Sequence, residues 1–189
     1  MRAHNGASRR AAVVGLLSAL AIATNFAMIG IPNVKLMDSI VFIAGLSLGL
    51  IDGVAVATLT WLIYGFFNPY GFIPTIWIAT IVGEWMYALA GWLSRSLTAG
   101  KRPPRVILAA LGFSTTLAYD LLTNVVFALT FGFPVEAALI AGIPFALLHE
   151  LTNAAAFSIL VPKAEAAVGA LLGLTVEGRP VKAVRAGRL

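Results

Sequence analysis

No charged side chain occurs between Ala11 and Val34, and further apolar runs of similar character follow along the chain. Such a run is too long for the apolar region of a secretory signal, so it reads as a first, uncleaved membrane span behind Arg2, Arg9 and Arg10. Lipid offers no hydrogen-bond partner to a peptide group, so a spanning segment must be an α-helix or part of a closed barrel. A barrel would show alternating segments of about ten residues, and these runs do not alternate. The composition agrees. Only 11% of the 189 residues are charged and 60% are hydrophobic, against about 25% charged in a water-soluble domain.

At about 20 residues per span, the apolar runs make six helices with short connections. They are Ala11–Ile31, Ser39–Ile51, Val54–Phe67, Thr75–Leu93, Val106–Phe131 and Ala137–Val161. Pro32, the pair Asp52-Gly53, the stretch Asn68–Pro74, the polar loop with Pro103-Pro104, and Gly132-Phe133-Pro134 supply the breaks. Spans two and three are short, and a re-entrant hairpin would also accommodate them. The organisation expected is a tail over 1–10, a transmembrane domain over 11–161, and a tail over 162–189 that starts weakly amphipathic and ends basic.

Lysine and arginine counts orient the bundle. Three precede the first span, four lie between the fourth and fifth, five follow the sixth, and only Lys35 falls in the remaining loops. That asymmetry requires an even number of spans with both termini inside. The expectation is therefore an all-α integral membrane bundle of six transmembrane helices, multi-pass in the cell membrane, with both ends cytoplasmic. The basic residues then report topology rather than a nucleic-acid surface, and the tail arginines would rest on anionic lipid.

Glu84, Asp120, His149 and Glu150 fall near the middle of their helices. An ionisable group at that depth costs at least about 2.5 kcal/mol, so it should face the bundle interior and have a partner or a function. Asp120 and Asn124 share a helix face, as do Glu150 and Asn153, and Trp77, Glu84 and Gly91 align at seven-residue spacing. These groups either satisfy one another or bind a ligand. Three carboxylates to one histidine leaves a need for protons, a metal ion or an organic cation. Glu84 is the strongest single candidate for ligand contact. Trp61, Tyr64, Phe66, Phe67, Tyr70, Phe72 and Trp77 cluster around one bend. They are either an interfacial belt or a stacking surface for a flat ring, with cation–π attraction if that ring is charged. Asn33, Lys35 and Asp38 sit on the first outer loop, where they could close over such a site or be simply solvated.

Gly15, Ala19, Ala23 and Ala27 recur every four residues on the first span. The strip permits close helix approach, either within this bundle or to another membrane protein. Catalytic signals are weak. There is no cysteine, no HExxH, no GxSxG and no phosphate-binding loop, and adjacent His149 and Glu150 point about 100° apart on a helix. The chain is expected to be no enzyme, to need no cofactor or metal, and to depend on a partner if ATP drives it.

Ala19-Leu20-Ala21-Ile22-Ala23, and Ile31-Pro32-Asn33-Val34-Lys35 leading to Ala44-Gly45-Leu46-Ser47-Leu48-Gly49, resemble the substrate-binding S-components of energy-coupling factor (ECF) transporters. Size, span number and polar outer loops extend the resemblance over most of the chain. It implies a subunit that captures a vitamin or precursor from outside and topples in the membrane. Its partners would be a transmembrane coupling subunit, docked at Ala19 and Ala23, and two ATPases. It also implies ligand contacts near Asn33–Asp38, Asn68–Thr75 and Gly132–Glu136. Asp52 departs from the basic residue often found at that turn. His4 does not match the histidine behind the initiator methionine of the metal-transporting members, so cobalt and nickel are not expected. The carboxylate surplus favours a cationic aromatic such as thiamine. Two alternatives stand beside this: a stand-alone proton-coupled carrier using Glu84, Asp120 and Glu150, and an intramembrane enzyme using His149 and Glu150.

Overall fold

The computed structural model describes residues 2–99 and 101–172, with side chains from Ala7 onward; Arg179, Lys182, Arg185 and Arg188 of the basic tail lie outside them. Six helices account for nearly all of the described chain: α1 Arg2–Ala27, α2 Met37–Leu48, α3 Leu50–Phe67, α4 Pro74–Leu97, α5 Arg105–Phe131 and α6 Val135–Leu172. Five of them, all but α2, are long and apolar enough to cross a bilayer. Their outward surfaces carry large apolar side chains, such as Ile51, Leu97, Val106, Leu129 and Ile140. Polar residues are inside instead: Asp38, Thr60, Glu84, Thr116, His149 and Asn153 are fully buried. This is the inverse of a water-soluble bundle and suits a lipid surround.

The second helix corrects the expected boundaries. At 12 residues, α2 rises only about 18 Å and cannot cross a core of about 30 Å. The break before α3 falls at Gly49, whose φ of 103° and ψ of 172° suit glycine, rather than at Asp52-Gly53, which lie inside α3. Two arginines serve the carbonyls exposed at that break. Arg10 donates to the Leu48 carbonyl and pairs with Asp52, and Arg95 donates to the Leu46 carbonyl at 2.9 Å. Asp52, an acidic residue where the resembled family is often basic, therefore has a local arginine partner.

α2 is nonetheless the central helix. It packs against α1, α3, α4 and α6, and every residue from Met37 to Leu46 is buried. Two glycines make the α2–α4 approach close enough for this. A Cβ at Gly45 would collide with the Ala88 backbone, and one at Gly91 with the Phe42 backbone. The segment from Met28 to Leu36 joins α1 to α2. Asn25 of α1 is already level with Met37, to whose sulfur its amide donates.

These contacts sort the ends of the bundle. Arg10 and Arg95 meet at the α2–α3 break, and Arg102 pairs with Glu165 at 2.7 Å. The described residues of all three basic clusters thus gather at one end. At the other end, Tyr70 Oη donates to the Ile29 carbonyl at 2.7 Å, and Thr75 and Thr130 share a hydrogen bond at 3.0 Å. α6 runs without a break past Pro144 and Pro162 to Leu172, so the weakly amphipathic segment after Val161 continues the last span instead of forming a separate element.

Candidate functional site

Beneath the loops at the end opposite the basic clusters lies a cavity of about 730 Å³, within the range of small-molecule sites. Most of its wall comes from four places, with Asn25, Phe145 and the Tyr70–Ile73 loop completing it. The Met28–Lys35 segment contributes Asn33 and Lys35; α3 contributes Trp61, Tyr64 and Asn68; α4 contributes Trp77 and Thr80; α5 contributes Tyr119, Asp120, Thr123, Asn124 and Phe127. The aromatic wall is held in place by polar edges. Trp77 Nε1 donates to the Trp61 carbonyl at 2.9 Å, and Phe66 stacks on Phe72 with centroids 4.4 Å apart. Six residues singled out from the sequence, Asn33, Lys35, Tyr70, Trp77, Asp120 and Asn124, line this one space. Of the three expected loop neighbourhoods, the first two line the cavity and Gly132–Glu136 does not; α5 reaches it last at Phe131. A second hollow of about 520 Å³ at the basic end, near Ser47, Gly49 and Arg95, is not built of these groups.

Below the cavity lies a buried polar network. His149 sits between two carboxylates: Nε2 is 2.7 Å from Asp38 Oδ2, and Nδ1 is 3.0 Å from Asp120 Oδ1. Asn153 Nδ2 donates to Asp38 Oδ2 at 2.7 Å and to Thr116 Oγ1 at 2.8 Å. Tyr87 Oη joins Thr116 Oγ1 at 3.0 Å. Two hydrogen bonds from one imidazole to two carboxyls need two protons. Whichever atoms carry those protons, two carboxyl groups share the one imidazole.

Glu84 is fully buried but is not on the cavity wall. Its Oε2 accepts from Trp61 Nε1 at 3.3 Å, so it reaches the cavity through the indole ring, and its Oε1 has no partner. His149 likewise sits below the wall, joined to it through Asp120. Glu150 is buried but makes no hydrogen bond through its side chain, although Asn153, one turn on, is central. The shared face expected of Glu150 and Asn153 is therefore not used.

Asp38 was expected on the first outer loop, closing over a site or solvated; it is instead in α2, fully buried, and holds both His149 and Asn153. The signal was its place at the start of an apolar run, Ser39 to Leu46, where a first-turn carboxylate also suits the helix dipole. Thr116 and Tyr119 were missed because threonine and tyrosine are unremarkable in a membrane helix until their neighbours are known; Tyr87, near the Glu84 face by spacing, joins the network through Thr116.

The small-residue strip is settled in one respect. Gly15, Ala19, Ala23 and Ala27 all face outward, and a Cβ added at Gly15 would meet nothing within 4 Å. Packing within the bundle does not account for it. No family model, curated protein or solved structure matches this chain.

Proposed function

We propose that this protein is the substrate-binding membrane subunit of an ECF-type importer. In this reading it captures a vitamin-like ring compound from outside and passes it on with a transmembrane coupling subunit and two ATPase subunits. The single observation that carries this reading is the 730 Å³ aromatic cavity with Asp120 and Asn124 on its wall, opening at the end away from the arginine clusters. By the positive-inside rule the arginine end is cytoplasmic, so the cavity faces out. The outward strip at Ala19 and Ala23 supplies a surface for the coupling subunit, and the chain has no phosphate-binding loop of its own. Aromatic side chains at one wall suit a flat ring, and the surplus of carboxyl groups at and beneath Asp120 favours a cationic one such as thiamine.

The test is to purify the protein and identify the co-purified small molecule by mass spectrometry, then titrate it while following Trp61 and Trp77 fluorescence. Asp120→Asn should weaken binding by about tenfold or more, the scale of a lost hydrogen bond to a charged group. Asn124→Ala, which leaves the His149 pairing intact, should weaken it by less. Arg95→Gln at the far end should change nothing. Unaltered affinity in both cavity variants removes the cavity from the function.

The Asp38–His149–Asp120 chain of hydrogen bonds supports one second reading, a proton-coupled carrier. Uptake abolished by an uncoupler yet indifferent to loss of ATPase partners would select it.

A further inference from the structure

Lys35 stands apart from every other basic residue among those described, all of which lie at the opposite end of the bundle or on α1 near it. Its ammonium lies 5.0 Å from the centroid of the Tyr119 ring, on the cavity wall it shares with Asp120. It interacts electrostatically with Asp38, Glu84 and His149, and it makes no hydrogen bond. Tyr119 is a prepared platform. Its ring lies on α4 where Gly83 leaves room, since a Cβ there would come within 2.6 Å of it. Its ring neighbours are His149, edge-on with centroids 5.8 Å apart, and Tyr87 at 5.9 Å. The buried side-chain atoms left without a partner around this floor are mostly acceptors: Asn25 Oδ1, Asp38 Oδ1, Glu84 Oε1 and Asn153 Oδ1. A cavity with Asp120 on its wall, further carboxyl groups behind it and an aromatic face suits a cation.

We infer that Lys35 is the specificity-determining residue of this cavity: its tethered ammonium holds the Tyr119 subsite as an internal cation that a cationic ring must replace. This rests on the reading that the cavity takes a ligand, and it adds which ligands are admitted. The physical reason is charge conservation at depth. Carboxyl groups that outnumber the one imidazole call for a counter-charge whether or not a ligand is present, because an uncompensated charge there is costly. Exchange of one cation for another keeps the balance, whereas a neutral ring that displaced Lys35 would leave the carboxylates bare. The Met28–Leu36 segment is pinned across the mouth by Asn33 Nδ2 donating to the Phe145 carbonyl at 3.2 Å and by the Tyr70 bond to Ile29.

The chain contains no cysteine, so Lys35→Cys introduces a single thiol at the subsite. In purified protein this thiol should react with a trimethylammonium-ethyl thiosulfonate about tenfold or more faster than with the sulfonato-ethyl reagent, after scaling to a free thiol. Adding Asp120→Asn should erase most of that preference. Equal rates, or preference for the anion, would overturn the inference. In a second arm the probe is thiamine, a heteroaromatic cation. Lys35→Gln should bind it about tenfold more tightly than the unaltered protein, because the competing charge is gone, and Lys35→Arg should behave like the unaltered protein. Weaker binding in Lys35→Gln would show that the lysine holds the ligand instead of yielding to it. If neither protein binds thiamine while the thiol retains its cation preference, the subsite stands and the proposed ligand falls.

Discussion

His149 is the residue on which the interior turns, because it satisfies two carboxylates from two different helices at once. Asp38 comes from α2 and Asp120 from α5, so one imidazole ties three elements together. Replacing it by leucine would leave two buried carboxylates facing each other, and breaking a buried pair costs about 3–5 kcal/mol. His149→Leu should therefore lower the thermal midpoint of the detergent-purified protein well beyond the effect of Glu150→Gln, whose side chain makes no hydrogen bond. Equal midpoints for the two variants would show that the trio contributes nothing to stability. Sequence spacing placed Asp120, His149 and Glu150 at similar depth, but only their neighbours separated the participant from the bystander.

At the level of elements, α2 and α1 do opposite things with small residues. On α2 and α4 they bring two backbones together: Gly45 against Ala88 and Gly91 against Phe42. Gly45→Val should drive the helices apart and reduce folded yield sharply, measured by monodispersity on gel filtration, and a normal profile would contradict the close packing. On α1 they face outward, so Ala19→Leu should leave the fold and ligand affinity unchanged. Cellular uptake should be lost if the strip docks a coupling subunit. Binding lost together with uptake would point back to a role inside the bundle. The periodic small residues on α1 were visible in the sequence, whereas the direction they face was not, since a stripe at four-residue spacing looks the same inside or out.

For the whole molecule, the arrangement divides the loops cleanly between two ends. Asn68 belongs to the cavity end and Ser96 to the basic end. Asn68→Cys should be labelled by an impermeant thiol reagent on intact cells, and Ser96→Cys only after permeabilisation. Labelling of both from the same side would refute the sidedness proposed here. The five helices long enough to cross would, if each simply crossed, leave the ends on opposite sides. Both ends on one side, as the sidedness proposed here requires, therefore depends on α2 and the Met28–Leu36 segment together making up a sixth passage.

Charge-free runs, their proline and glycine breaks and the one-sided lysine and arginine pattern were enough to determine a helical membrane bundle with polar groups at depth. Those features depend on the solvent the chain must meet, and solvent preference is written residue by residue. Which polar groups meet was decided by tertiary structure. Asp38 reads as a loop residue until α2 is drawn into the centre, Glu84 reads as a wall residue until Trp61 is placed over it, and Lys35 reads equally as solvated or closing over a site until Tyr119 is placed beneath it. Each of those facts depends on the distance between helices far apart in sequence, and helical periodicity carries no information about that distance.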